Sequence, residues 1–312
     1  MPERPFLSVG RLFRAILILA LLLVYVSCDA TGPKPFESEV VVESYQIAGE
    51  PAAPVRLTQS IPIDSTYDIN DVAVRGADVR IEKLGEGGEV EGTIPYTSDP
   101  DSAGFYRPST AIDGSIPTIE PLGTYRLRVV TEAGAQIRAE TTVPDTFSIV
   151  SASRDTATYR ADEEIAFRIT SSRTPGRDQA FYIFSTESLD PRKENLVPLV
   201  ADFLEQSENS VLSDFVITSS PVLNEAGYTQ NADGTLTLRL PWVVVTFYGP
   251  NRTRINVLDE NMYDFIRSQT AQQGGGGFTP GSIPNVLEVV EGGAGIFGSM
   301  ASVRREMYVA RP

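Results

Sequence analysis

Three groups of residues in this chain have types and spacings that could do chemistry. Asp64, Asp68 and Asp71, with Ser65 and Asn70 among them, crowd oxygen-bearing side chains into one segment. Such a loop could hold calcium through carboxylate and amide oxygens. It lacks the EF-hand order and its closing glutamate, and a solvated acidic loop has the same composition. Asp99 and Asp101 flank Pro100. A carboxylate pair serves glycoside hydrolysis when it is opposed across a gap of about 5–10 Å, whereas Asp and Pro this close in sequence also build a turn. Gly292-Gly293-Ala294-Gly295 has the glycine density of a phosphate-cradling loop without the Lys-Ser/Thr that completes one, and a hairpin or bulge with positive φ angles accounts for it as well. Trp242, the only tryptophan, precedes Val243-Val244-Val245. It either stacks on a sugar or anchors a partner, or begins a core strand that continues through Tyr248.

Composition narrows these options. The chain has no histidine and one cysteine, which removes Ser-His-Asp and Cys-His nucleophilic sites and histidine-bearing zinc sites. No catalytic residue, metal or cofactor is therefore expected. A net charge of -15, with only Lys34, Lys83 and Lys193 as lysines, argues against nucleic acid, whose phosphates need clustered cations. It also argues against docking on an anionic bilayer by charge alone.

The cysteine has a different use. Arg11 and Arg14 precede an unbroken apolar run from Ala15 to Val26, and Ser27 then precedes Cys28. This is the charged n-region and short h-region of an export signal. The run is shorter than the ~20 residues needed to span a bilayer. Val24-Tyr25-Val26-Ser27-Cys28 resembles a bacterial lipobox, in which the cysteine becomes the mature N-terminus and carries acyl chains such as palmitate. Each buried methylene adds about 0.8 kcal/mol of membrane affinity. The expected layout is a signal peptide over 1–27, lipidation at Cys28 and a tether over 28–36.

The rest of the chain reads as strands. Val40–Tyr45, Val55–Gln59 and Ala77–Glu82 alternate with period two, the mark of strands with one buried face. Tyr125–Val143 reads as a hairpin turned at Glu132-Ala133-Gly134. Past Pro144-Asp145, strands are expected over 147–153, 165–170, 180–185, 235–240, 243–248, 252–258 and 305–309. Helices are expected over Pro198–Gln206, with proline suited to a first turn, and over Met262–Gln273, capped by Asp259 and ended by Gly274. A flexible run over 274–277 and a loop over 280–284 follow the second helix. The expected fold is mainly β: two consecutive β-sandwich domains of immunoglobulin or transthyretin-like type, 37–144 and 145–312, the second with short helical insertions.

Val40-Val41-Val42-Glu43-Ser44-Tyr45, Pro54–Ser60, Val74–Ile81, Gly104-Phe105-Tyr106, Gly123–Leu127 and Glu291–Ser299, in this order, resemble DUF4249, a family of Bacteroidetes-type lipoproteins. The resemblance covers nearly the whole chain after Cys28. It implies an outer-membrane lipoprotein that assists a TonB-dependent transporter in nutrient uptake, and it supplies no catalytic residues. The ligand and the membrane face, periplasmic or surface, stay open. The functional expectation is a lipid-anchored accessory or binding protein. A structural or adhesive envelope lipoprotein is the alternative, and a carboxylate-only glycosidase at Asp99 and Asp101 is a third.

Overall fold

The computed structural model describes residues 36–272 and 289–312, apart from 63, 112 and 161–163. The expected signal peptide, Cys28, most of the tether, Gly274–Gly277 and Pro280–Pro284 lie outside the described residues. Among the described residues, no helix is long and apolar enough to cross a membrane.

The protein is mainly β, with helical insertions in its C-terminal half. Seven strands come first: β1 (Val40–Ile47), β2 (Val55–Gln59), β3 (Asp78–Leu84), β4 (Val90–Ser98), β5 (Phe105–Pro108), β6 (Thr124–Val130) and β7 (Gln136–Thr142). Their alternation does what the period-two pattern requires. Val40, Val42, Leu57, Val79, Ile81, Tyr125, Leu127, Val129 and Ile137 all point inward, while Arg80, Arg126, Arg128 and Arg138 share the opposite face. A four-residue helix, α1 (Ile69–Val72), interrupts the loop before β3.

The second set is β8 (Ile149–Ala152), β9 (Thr156–Thr158), β10 (Ala166–Ile169), β11 (Phe181–Ser188), β12 (Ile217–Ser219), β13 (Leu223–Asn224), β14 (Thr229–Gln230), β15 (Leu236–Arg239) and β16 (Gly249–Leu258). Two helices, α2 (Pro198–Gln206) and α3 (Glu260–Gln272), fall where helical spacing places them. Four strands form a small sheet in the order β14-β15-β10-β8.

The last strand, β17 (Ala294–Ala310), was expected only over 305–309 and is far longer. At about 3.3 Å per residue its 17 residues span roughly 55 Å. Its first part pairs in parallel with β1, from Val41 opposite Ala294 to Ile47 opposite Met300. Its second part pairs antiparallel with β16, from Leu258 opposite Met300 to Gly249 opposite Val309. The resulting 13-stranded sheet has the main order β12-β11-β16-β17-β1-β2-β5-β4-β3-β6-β7. Residues 37–144 and 145–312 are thus not separate sheets. The expected boundary at Pro144-Asp145 falls between β7 and β8, but the strands on its two sides are joined through β17, and one buried apolar network runs from Val40 to Val309.

The glycines before and within β17 explain how it enters. Arg138 and Glu291 exchange backbone hydrogen bonds of 3.0 and 2.7 Å, so the chain leading into β17 lies against β7 as well as β1. At Gly295, φ is +100°, and a Cβ there would sit 2.0 Å from the Val42 carbonyl oxygen. Only glycine permits that approach. The Gly292–Gly298 stretch is therefore no phosphate loop: Gly292 and Gly295 take the expected positive φ, at +75° and +100°, and the shared strand begins at Ala294.

Two other expectations change. Val243–Tyr248 is not a strand: Trp242–Val244 forms a 3-10 turn, and the following residues reach the fold through a bridge between Phe247 and Leu196. β4, β5, β9 and the two- to three-residue β12, β13 and β14 escaped the sequence reading. β4 is mostly exposed and β5 and β9 are short, so none has the apolar alternation that marks a half-buried strand.

Candidate functional site

The acidic loop does not gather its carboxylates. Asp68 caps α1, its Oδ1 accepting from the Asn70 backbone N–H at 2.8 Å, which is ordinary N-cap geometry. Among the described residues, no group of three acidic or cysteine side chains could hold a metal ion. Asp99 and Asp101 share one turn, the Asp101 backbone N–H donating to Asp99 Oδ1 at 3.0 Å. Arg107 Nε lies 2.5 Å from Asp99 Oδ2, and this hydrogen bond holds the Asp99 carboxyl below the usual carboxylate range. A group so held is a poor general acid.

The most buried carboxylate among the described residues is Asp259, between β16 and α3. Its Oδ1 accepts from the Met262 backbone N–H at 2.8 Å, making it the expected N-cap. Its Oδ2 accepts from the Thr141 hydroxyl of β7. Thr141 Oγ1 is 2.6 Å from the hydroxyl of Ser299 on β17. Thr141 has one proton, and it goes to the carboxylate, so Ser299 must donate to Thr141. Burial pushes the Asp259 carboxyl up to about 6 despite these hydrogen bonds. Asn261 adds two more ties, donating to the carbonyls of Glu140 and Phe297. Thr141, Asp259 and Ser299 are buried, and with half-exposed Asn261 they tie β7, β17 and α3 together. Nothing in the sequence around Thr141 or Ser299 marks them as members of this cluster.

Most hollows with room for a ligand lie in the C-terminal half, and one of about 300 Å³ lies on the N-terminal strands, lined by Arg80, Arg128, Arg138 and Gly292. Tyr159 sits edge-on to both Trp242 and Tyr248, with ring centroids 5.5 and 5.7 Å apart. Arg160 lies 5.3 Å over Tyr159 and Arg311 4.7 Å over Tyr248. Arg160 adopts φ +52°, an uncommon conformation for a side-chain-bearing residue that often accompanies binding sites. On one side of this aromatic row is an apolar hollow of about 380 Å³ lined by Tyr159, Tyr248, Pro198 and Leu199. On the other, beyond Trp242, is a polar hollow of about 810 Å³. Tyr248 belongs to the core, as expected, whereas Trp242 is half-buried, packed against that core and bordering the larger hollow.

Next to the apolar hollow, α2 turns Leu199 and Phe203 outward, 59% and 55% exposed, while Val200 and Leu204 are half-buried. Phe203 meets Phe215 edge-on at 6.0 Å. Val211, Ile217 and Val243 are also more than half exposed. By contrast, α3 uses its apolar residues internally: Met262 is buried with Ile183, Leu258 and Ile296. Tyr263 stacks on Phe181 at 4.0 Å, and the Arg177 guanidinium lies 4.6 Å from its ring.

DUF4249, described as a domain of unknown function, matches residues 28–306. The chain belongs to the DUF4249 family. No curated protein matches it. Among solved structures, trypsin-activated alpha-2-macroglobulin from Escherichia coli is similar at 10% identity and a TM-score of 0.20, covering 75% of this chain and 15% of that one. Salmonella alpha-2-macroglobulin reacted with methylamine is similar at 11% identity and a TM-score of 0.23, covering 90% and 15%. A tetra-tandem repeat from the extending region of a large adhesion protein is similar at 9% identity and a TM-score of 0.22, covering 88% and 50%. This DUF4249 chain thus spans about a seventh of the macroglobulins it matches.

Proposed function

We propose that this DUF4249 protein is a non-catalytic binding protein, anchored in the outer membrane through lipid on Cys28, that works beside a TonB-dependent nutrient transporter. The observation that supports this reading best is the outward apolar face of α2. Leu199 and Phe203 stand on one side of the helix at i, i+4 spacing, and Phe203 meets Phe215 edge-on. Apolar side chains clustered at this exposure mark a surface that a partner covers. The export-type segment ending at Cys28 supports the membrane tether, and the absence of histidine supports a role without nucleophilic chemistry.

Two measurements test the reading. Mass spectrometry of the mature N-terminus should find an acylated Cys28, and an unmodified start at another residue would remove the anchor. Purification from native membranes in mild detergent should recover a large β-barrel protein, and recovery should be lost in a Leu199→Glu, Phe203→Glu double variant. Recovery of no barrel from the unaltered protein would point instead to a structural or adhesive role.

A further inference from the structure

The hollow of about 810 Å³ beyond Trp242 has a chemistry of its own. Its floor and rim come from the ends of β14 and β15 and the 3-10 turn. Trp242 is held by its edge-on contact with Tyr159, so the indole is fixed before any ligand arrives. Across the hollow is half-buried Tyr228. Neither the Trp242 indole N–H nor the Tyr228 hydroxyl hydrogen-bonds within the described residues, and neither is among the buried polar atoms, so both are open to water or a ligand. Asn231 uses both amide hydrogens on Thr235 and Thr237 hydroxyls, at 2.9 and 3.0 Å. That fixes its plane and leaves its carbonyl oxygen as an acceptor. Arg239 is paired at 2.9 Å with Glu164, and both are exposed, so the rim bears a guanidinium fork and a carboxylate whose charges cancel.

An anion gains little here, because the one cation lining the hollow already has its carboxylate. A wholly apolar ligand would strand the amide, hydroxyl and ion-pair groups. A ring with C–H faces for the aromatics and adjacent hydroxyls for Asn231, Arg239 and Glu164 satisfies both. We propose that this hollow binds a neutral oligosaccharide. The volume lies within the range of small-molecule sites, which suits a short chain of sugars. The site deepens the binding role proposed above, yet it is separate from the α2 face, so either can fail alone.

Trp242 is the only tryptophan, so intrinsic fluorescence reports on this site directly. The full chain in mild detergent would be titrated with maltohexaose, cellohexaose, xylohexaose and chitohexaose, following tryptophan emission and calorimetric heat together. At least one should give saturable binding with a matching change in emission. Arg239→Ala, at an exposed position, and Trp242→Phe, which keeps the ring against Tyr159, should each weaken that binding about tenfold, the equivalent of ~1.4 kcal/mol. Arg239→Ala should leave thermal unfolding unchanged, both variants should leave recovery of any barrel partner unchanged, and the Leu199→Glu, Phe203→Glu double variant should leave the sugar titration unchanged. No heat and no emission change with any of the four sugars, or binding that both Arg239→Ala and Trp242→Phe leave intact, would overturn the proposal.

Discussion

The two halves joined by β17 solve the same problem differently. The N-terminal strands β1–β7 are mostly long, tightly turned and closed outside by charge. Glu82, almost buried, lies within 3.1–3.8 Å of Arg80, Arg126 and Arg128, and Glu140 accepts from Arg126 and Arg138 at 2.8 and 2.5 Å. The C-terminal strands are mostly shorter, broken by α2 and several 3-10 turns, and leave Leu199, Phe203, Val211, Ile217 and Val243 outward. A face laced with ion pairs offers little to a partner, whereas an apolar helix face beside a hollow of about 380 Å³ offers both area and shape. On the proposed function, the N-terminal half is the support and the C-terminal half presents the surface, as loops and insertions on a rigid scaffold commonly do.

Breaking the shared strand should have the largest effect. Gly295→Ala places a Cβ against the Val42 carbonyl at φ +100° and should destabilise both halves together by at least about 3 kcal/mol, read as one shifted transition in urea unfolding. Gly49→Ala, also at positive φ but with open space around it, should cost only about 1 kcal/mol. Two separate transitions in the Gly295→Ala variant would show that the halves fold apart.

The next largest effect is at the junction. Asp259→Ala removes the α3 cap and leaves Thr141 without its acceptor, which should cost about 2–4 kcal/mol. Because burial raises the Asp259 carboxyl in the folded state to about 6, the unfolded chain, with an ordinary aspartate near 3.9, binds fewer protons between those values. Ionised Asp259 therefore penalises the fold, by about 3 kcal/mol above pH 6. The penalty fades as pH falls from about 6 to 4 and is gone below. Asp259→Asn should abolish this rise in stability on acidification. Asp99 and Glu140, held low by Arg107 and Arg138 respectively, act in the opposite sense. Their contribution is present above the ordinary carboxylate range and is lost as pH falls below it.

Arg177→Ala should cost about 1–2 kcal/mol, since its guanidinium covers the Phe181 and Tyr263 rings that fasten α3 to β11. Smallest in stability are Leu199→Ser and Phe203→Ser. Each should change unfolding by no more than about 0.5 kcal/mol, as exposed positions do, while weakening partner recovery. A large loss of stability at either position would mean that α2 belongs to the core.

Much of this contrast was legible in the residues. β1, β2, the β6–β7 hairpin, both longer helices and the Asp259 cap follow from period, turn and capping chemistry, because those signals are local. β17 did not follow. Its glycines look like a turn until the carbonyls of Val42 and Gln136 come within reach, and that contact depends on residues about 250 and 155 positions away. The run Val243-Val244-Val245 looks like a strand, yet Pro241 and the packing of Trp242 on Tyr159 fold it into a 3-10 turn. The proposed docking face was not legible: helical spacing placed α2, but the outward direction of Leu199 and Phe203 is a tertiary fact.

Photo-crosslinking in native membranes tests the division of labour most directly. A photoreactive residue would replace Phe203 on α2 or Arg128 on the outer face of β6. Position 203 should capture a β-barrel protein and position 128 should not. Capture from position 128 alone, or from neither position in a protein shown to be acylated and folded, would contradict the assignment of the surface to the C-terminal half.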